Sequence, residues 1–188
     1  MMQKKIELLR KTGHIHQVAD VTPIEYREGR ADKLSAWQVK NGPLSFTVMQ
    51  GKGMDLSELS YKGINFSFLS KPGLQGRNQY DTNGQEALRS IMGGMLFTCG
   101  LENICAVYQN GETQYPMHGR IRTTPAEHTA VRTRWTSEGY EMELYGEMRE
   151  AELFGENLVL KRTITTIWPK KEIRIRDVIE NQSFREEP

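Results

Sequence analysis

An Asn-Gly dipeptide between two alternating segments is the feature that most limits how this chain can fold. Asn41-Gly42 separates residues 33–40 from residues 44–50, and apolar residues recur at every second position from Leu44 to Val48. Asn-Gly is a strong signal for a two-residue hairpin turn, because both residues tolerate positive φ. Alternation places every second side chain on one face of a strand. The segment therefore predicts an antiparallel β-hairpin with one apolar face.

The same period of two returns in the second half of the chain. Residues 140–148 alternate apolar side chains with glutamates, and β-branched residues crowd residues 157–168 before Pro169. Shorter alternating segments cover residues 131–135 and 173–176, and a further one, residues 64–69, lies in the first half of the chain. A helical signal is confined to residues 4–11 and to a single turn at residues 85–89. Many strands with few helices predict an all-β fold, an antiparallel β-sandwich or barrel.

The central stretch, residues 89–125, combines an apolar run with a polar bend. Residues 91–98 are largely apolar and contain Gly93-Gly94. Paired glycines in such a run predict a buried strand that another backbone or a ligand approaches closely. The stretch ends on His118-Gly119, beside arginines, which is typical of a polar site on a tight bend. Ahead of it, residues 70–84 are rich in Gly, Pro, Asn and Gln, which predicts a long loop of functional or merely surface character.

Charge and composition exclude several classes of partner. The net charge is +1, which argues against a nucleic-acid-binding surface. No window approaches the roughly 18 apolar residues of a membrane span, and the first 14 residues lack a signal-peptide core, so we expect a cytoplasmic location and no membrane partner. Cys99 and Cys105 do not form a CxxC motif, and we expect two reduced thiols rather than a disulfide or a zinc site. His14 and His16 lack a nearby third ligand, so no metal site is predicted.

Five stretches resemble the aldose-1-epimerase-like proteins of the galactose mutarotase superfamily, in an uncharacterised bacterial branch. They are His16–Ala19, Gly53–Leu56, Tyr61–Gly63, Gly93–Asn103 and Met117–Ile121. The resemblance implies a large antiparallel β-supersandwich, about twice as long as this chain. Residues 1–188 are therefore expected to form one mutarotase-like β-sandwich domain, the N-terminal part of that fold, incomplete at its C-terminus.

The resemblance also implies a function, the interconversion of sugar anomers. Ring opening and closure need proton transfers near neutral pH, which suits histidine and carboxylate groups. His118 matches the family's HG histidine and is the expected catalytic residue, while Gly119 would let a sugar approach the backbone. Arg89, Asn103 and Arg120 are the expected substrate-binding residues, with Arg77 as the alternative to Arg89. The expected ligand is a monosaccharide or modified sugar, and no metal or organic cofactor is expected.

Several alternatives stay open from the sequence. The family's later histidine and its C-terminal glutamate would lie beyond Pro188, so a non-catalytic sugar-binding module competes with the enzyme. A truncated fragment that self-associates through an edge strand, as a homodimer, is the third reading. Arg120 could instead pair with Glu102 or Glu127. If the segment is extended, Arg120 and Arg122 share a face, which would suit a phosphosugar. The tryptophans would serve either as sugar-stacking platforms or as core residues.

Overall fold

Two antiparallel sheets make up most of the molecule. The computed structural model describes residues 2–76 and 84–187, without the side chains of residues 2–4 and 84. The first sheet has five strands in the order β1-β2-β3-β4-β5. These are β1 (Ala19–Glu25), β2 (Ser35–Asn41), β3 (Leu44–Met49), β4 (Asp55–Tyr61) and β5 (Ile64–Asn65). Since neighbours in the sheet are neighbours in the chain, this sheet is a simple meander.

The second sheet is also a meander. This sheet has four strands in the order β10-β11-β12-β13. They are β10 (Glu127–Trp135), β11 (Tyr140–Ala151), β12 (Asn157–Trp168) and β13 (Arg174–Asn181). Two short ribbons pair β6 (Phe68–Leu69) with β7 (Gly93–Gly94) and β8 (Tyr108–Asn110) with β9 (Thr113–Tyr115). The helices are α1 (Met2–Lys11) and short 3₁₀ helices at Ile15–Gln17, Gly29–Ala31, Gly84–Arg89 and Ile121–Thr123.

The predicted hairpin is confirmed, but its turn is shifted by one residue. Asn41 is the last residue of β2 and pairs with Leu44, so Gly42, with a φ of 58°, and Pro43 form the two-residue turn. Phe46 and Val48 point into the main core, but the alternate side chains of β3 are also buried, Met49 among them. The strand is therefore covered on both faces. A small second cluster of Leu34, Ala36, Met49 and Met92 covers the outer one.

The main core lies between the two sheets and confirms the all-β sandwich. The first sheet contributes Trp37, Val39, Phe46, Val48 and Leu56, and the second contributes Met142, Leu144, Met148, Leu160 and Ile164. Trp37 is 5% exposed, so it is a core residue and not a sugar platform. The inward-facing positions of the second sheet also include Gly146, Glu150 and Arg162, which are buried as well. Charged groups thus reach the interior of the sandwich.

Two predicted strands are shorter in the structure. Residues 64–69 form only the two-residue strands β5 and β6, because the side-chain Oδ1 of Asn65 accepts from the Ser67 N–H at 3.0 Å and turns the chain. Residues 91–98 form only β7, since both of its glycines have positive φ. The predicted close approach is confirmed: a Cβ at Gly94 would lie 2.3 Å from the Leu56 carbonyl oxygen.

Two observations concern the surface. Strand β13 is an outer edge of the second sheet and is exposed along its whole length. Self-association through an edge strand stays a prediction, as does the assignment of residues 1–188 to one domain.

Across residues 2–76 and 84–187, no helix is both long and apolar enough to cross a lipid bilayer.

Candidate functional site

The bend that carries His118 is fixed by backbone contacts. The His118 N–H donates to the Cys105 carbonyl oxygen at 2.9 Å, and its own carbonyl accepts from the Gly100 N–H at 3.1 Å. His118 and Gly119 have φ values of 61° and 71°. A Cβ at Gly119 would lie 1.9 Å from the Gly100 carbonyl oxygen. The expectation that Gly119 makes room for a sugar is therefore wrong, because the chain's own backbone occupies that space.

The hydrogen bonds of the His118 ring define its tautomer. Nδ1 accepts from the Cys105 N–H at 3.2 Å, so Nε2 carries the proton of the neutral ring. The ring of Phe97 stands edge-on at 5.6 Å. Burial, and after it the positive charge of Arg122, lower the pKa of His118. Within the described residues Nε2 has no hydrogen-bond partner. The bend thus presents a neutral imidazole with an available N–H donor.

Asn103 supports this bend from the neighbouring loop. Its amide nitrogen donates to the carbonyl oxygens of Ala106, at 2.9 Å, and Pro116, at 3.0 Å. Both amide hydrogens are therefore used to tie the loop that carries β8 and β9 to the segment before His118. The structure brings Asn103 and His118 together, with Asn103 in a position to support the backbone around the ring.

Arg120 lies two residues beyond His118 and pairs with Glu102, as one of the sequence alternatives predicted. Its side chain is 40% exposed. Arg122, by contrast, is fully buried, and Ile121–Thr123 is a 3₁₀ helix rather than an extended segment. The premise of the phosphosugar hypothesis is therefore wrong, because Arg120 and Arg122 do not share an exposed face.

Arg89 lies apart from this group. Its guanidinium Nε is 3.2 Å from the Glu86 carboxylate on the same 3₁₀ helix, and its side chain is 67% exposed. Its carbonyl oxygen accepts from Arg30 and Gln75. Among the residues that the structure describes, its side chain makes no hydrogen bond or ion pair to the His118 bend. Arg77, the alternative, falls outside the described residues.

A buried ionic network that the sequence reasoning missed lies between the sheets. Asp55 accepts from the N–H of Thr98 at 3.0 Å, and Arg162 Nη1 is 3.3 Å from the same carboxylate. Arg162 also donates to both carboxylate oxygens of Asp177, at 2.8 and 2.7 Å. Burial raises the pKa of Asp55 to about 6, against the opposing effect of the Thr98 hydrogen bonds and Arg162. Each charge in this network has an opposite charge beside it.

Further cations lie close to the same network. Lys52 donates to the Ser90 carbonyl oxygen at 3.0 Å, and Arg122 Nη1 donates to the Ser90 hydroxyl at 2.9 Å. Burial, with the charge of Arg122, lowers the pKa of Lys52 to about 8. Nε and Nη2 of Arg122 have no hydrogen-bond partner within the described residues. The charge of Arg122 adds to the effect of burial in lowering the pKa of His118.

A second buried group is acidic and differs in its partners. Glu102, Glu150 and Glu156 each place a carboxylate oxygen within 4.8 Å of the other two. Glu150 is 3% exposed and Glu156 is 8% exposed. Within the described residues no donor reaches either oxygen of Glu150 with normal hydrogen-bond geometry, although the Leu101 N–H and the Glu102 carboxyl interact with it. Burial, and after it the charge of Glu102, raise the pKa of Glu150 to about 8. This glutamate trio adjoins the candidate site through the Arg120–Glu102 pair.

The sequence did contain a signal for the residues that were missed. Extending the alternation of β11 beyond Met148 by one period places Glu150 on the core face. In β12 the same period places Arg162 between Leu160 and Ile164. Charged residues at inward-facing positions are rarely buried without partners, so each marks a site that needs explanation.

The other cysteine and histidine predictions have clear outcomes. Cys99 and Cys105 are free thiols, as predicted, although Cys105 is exposed. His14 and His16 lie at the surface, where the His16 N–H donates to Nδ1 of His14 at 3.3 Å. His14 caps the helix Ile15–Gln17, and Nε2 of His16 lies 3.4 Å from the Asp20 carboxylate, an acidic neighbour that the sequence interpretation missed.

Comparison with known proteins identifies the family. Residues 32–188 match the family described as a domain of unknown function, DUF4432. The chain belongs to the DUF4432 family. No functionally curated protein matches the DUF4432 chain.

A solved structure shows the fold. The DUF4432 chain is similar to the crystal structure of a putative aldose 1-epimerase from Klebsiella pneumoniae subsp. pneumoniae MGH 78578, with a TM-score of 0.78 at 18% identity. The match covers 87% of the DUF4432 chain and 43% of that protein. The DUF4432 chain therefore has a galactose mutarotase-like fold and spans less than half the length of this structural relative.

Proposed function

We propose that the chain binds a monosaccharide or modified sugar at the His118 bend and contributes an acid to aldose 1-epimerase chemistry. The observation that carries this proposal is the state of the His118 ring. It is neutral, its tautomer is fixed by the Cys105 N–H at 3.2 Å, and its Nε2–H is free among the described residues. The mutarotase-like fold supports the choice of a sugar as the ligand.

The chemistry follows from that tautomer. In ring opening, a base takes the proton of the anomeric hydroxyl while an acid delivers a proton to the ring oxygen. The neutral ring supports the second step by donating its Nε2–H as a hydrogen bond to the ring oxygen, while a full transfer starts from the imidazolium, which becomes neutral as it gives up the proton and takes it back on closure. Its lowered pKa makes the imidazolium a stronger acid than an unperturbed histidine. The aldehyde then rotates, and closure on the other face gives the second anomer.

We assign supporting roles to the neighbouring residues. Arg120 offers a partly exposed guanidinium held by Glu102, which suits hydrogen bonds to sugar hydroxyls. Asn103 positions the loop beside the ring through its bonds to Ala106 and Pro116. Arg89 becomes a substrate ligand only if the sugar extends towards the 3₁₀ helix Gly84–Arg89. The resemblance implies that a later histidine and a glutamate supply the remaining acid/base groups.

The test is anomer exchange followed by NMR on a panel of aldoses and modified sugars. His118→Asn is the preferred variant, because asparagine tolerates the positive φ of this position but cannot transfer a proton. His128→Asn is the matched control, since His128 is an exposed histidine that also has positive φ, 51°. We expect exchange faster than in buffer, a fall of about a hundredfold in His118→Asn, and no change in the control. Equal exchange in all three proteins would contradict the proposal.

Sugar binding without turnover is the second candidate. It is favoured because no carboxylate forms an ion pair with His118 among the described residues, so the bend alone supplies an acid without a base. In the same NMR experiment, broadened sugar signals at the buffer exchange rate would favour this function, and loss of the broadening in His118→Asn would assign it to the bend.

A further inference from the structure

The glutamate trio has a geometry that its hydrogen bonds do not explain. Glu150 projects from the core face of β11, and Glu156 precedes β12 at the same end of the hairpin. Glu102 comes from the loop before the His118 bend. Their carboxylate oxygens lie within 4.8 Å of one another, and the two most buried members are nine-tenths or more buried. Three acids from three segments thus converge on one point.

The charges at this point are not balanced by protein groups. Arg120 pairs with Glu102 and compensates one carboxylate, and Arg185, which acts on Glu156 through its charge, already pairs with Glu187. Glu150 is 3% exposed, and within the described residues no donor reaches either of its oxygens with normal hydrogen-bond geometry, although the Leu101 N–H and the Glu102 carboxyl interact with it. A buried carboxylate without a partner is costly, and the usual compensations are a cation or a bound proton. The poorly satisfied oxygens of Glu150 therefore point to a missing positive charge.

We propose that Glu102, Glu150 and Glu156 bind a hard divalent cation of the Ca²⁺ class. The donor set contains carboxylate oxygens only, which excludes the nitrogen and sulfur ligands that zinc prefers. Two oxygens that share a Ca²⁺ ion at about 2.4 Å each lie at most about 4.8 Å apart, and the trio meets this condition. The smaller Mg²⁺ needs closer and more regular oxygens.

The surroundings supply a route and further oxygen ligands. A cavity of about 190 Å³ is lined by Glu102 and Glu156 together with Tyr108, Asn110 and Tyr115. It has room for the ion's remaining waters, and the Asn110 amide and the tyrosine hydroxyls add neutral oxygen atoms to its wall. Because Glu102 also holds Arg120, an ion here would anchor the segment beside the His118 bend to the β11–β12 hairpin.

A second acidic group provides the matched comparison. Glu127, His128 and Glu147 also meet the distance condition, but Glu127 and His128 are exposed. Glu127 already pairs with Arg149, and Glu147 accepts from the Tyr145 hydroxyl at 2.5 Å. These acids have partners and solvent, so we expect no bound ion there. Glu127→Gln is therefore the control variant.

The experiment uses Tb³⁺ as the probe, since it replaces Ca²⁺ at oxygen sites and luminesces when a nearby tyrosine is excited. Tyr108 and Tyr115 line the same cavity as the trio. We expect tyrosine-sensitised luminescence that Ca²⁺ displaces. Glu150→Gln should weaken Tb³⁺ binding by about tenfold to a hundredfold, the range seen when even an outer partner of a metal site is lost. Glu127→Gln should bind as the wild type does.

Circular dichroism checks that each variant is folded. If Glu150→Gln is unfolded, Glu156→Gln takes its place with the same expected loss. Absence of displaceable luminescence in the wild type would overturn the proposal, and so would a signal that Glu127→Gln removes or that the trio variants retain. Because no sugar is present, failure here is distinct from failure of the proposed function.

Discussion

Two buried acids, Asp55 and Glu150, show how differently one sandwich accommodates charge. Asp55 is 0% exposed and Glu150 is 3% exposed. Asp55 accepts two hydrogen bonds from Thr98 and lies 3.3 Å from Arg162. Within the described residues no donor reaches Glu150 with normal hydrogen-bond geometry, and two other glutamates lie close by. Equal burial thus coincides with opposite electrostatic surroundings.

The difference separates a structural group from a candidate ligand site. In the Asp55 network each carboxylate meets Arg162, so the protein completes its own charge balance. In the glutamate trio Arg120 pairs with Glu102, and the arginine that acts on Glu156, Arg185, already pairs with Glu187. An unbalanced buried group persists only when another requirement maintains it, and binding is a common one. The comparison therefore directs attention to the trio rather than to the larger network.

The largest expected effect comes from removing the central cation of the balanced network. Arg162→Met should lower the free energy of unfolding by about 3 to 5 kcal/mol, because it leaves Asp55 and Asp177 without their cation. Urea denaturation at neutral pH measures the loss. Arg134→Met is the control: its pair with Glu141 is 69% exposed on the arginine side, so the loss should stay below about 1 kcal/mol. Similar losses in both variants would show that the buried network adds no special stability.

An effect of opposite sign is expected in the unbalanced trio. Above pH 8 and with a chelator present, Glu150→Gln should raise the free energy of unfolding by about 1 to 2 kcal/mol, because a neutral amide costs less to bury than an unpaired carboxylate. Urea denaturation of variant and wild type in the same buffer gives the difference. Destabilisation by Glu150→Gln under these conditions would show that protein groups already balance this charge.

The smallest expected effect is a change in the pH dependence of the free energy of unfolding when Lys52 is replaced. Its pKa is lowered to about 8 in the folded protein from 10.5, so the folded state releases the proton first as the pH rises. The unfolded state then binds more protons between these values, and stability from this group increases with pH over that window. Lys52→Met should reduce the rise between pH 8 and 10.5 by about 1 kcal/mol. Matching pH profiles from urea denaturation in variant and wild type would contradict the lowered pKa.

The strands could be predicted from the sequence where local chemistry decided them. Asn41-Gly42 located one hairpin, although its turn is Gly42-Pro43. Period-two alternation located β11, and β-branched residues located β12 at Asn157–Trp168. Prediction failed at residues 91–98, where the apolar composition favoured a strand but two glycines with positive φ ended it after β7. Side-chain turns such as that of Asn65 also interrupt a pattern that is correct in its spacing.

The candidate site could be predicted only in part. The HG motif singled out His118, and the alternatives included the Glu102 partner of Arg120. The tautomer of His118 depends on the Cys105 N–H, thirteen residues away in the chain, which no local pattern reveals. Gly119 was assigned to a ligand, whereas the Gly100 backbone fills the space that it leaves.

By itself the sequence determined the all-β class, the main hairpins and the histidine that marks the bend, because turn chemistry and alternation act between neighbours in the chain. The tertiary structure alone decided which charges are balanced. Asp55 and Arg162 are 107 residues apart, and Glu102 meets Glu150 only after the sandwich closes. Whether a buried charge has a partner depends on distances across the fold, since electrostatic energy follows separation in space rather than in sequence.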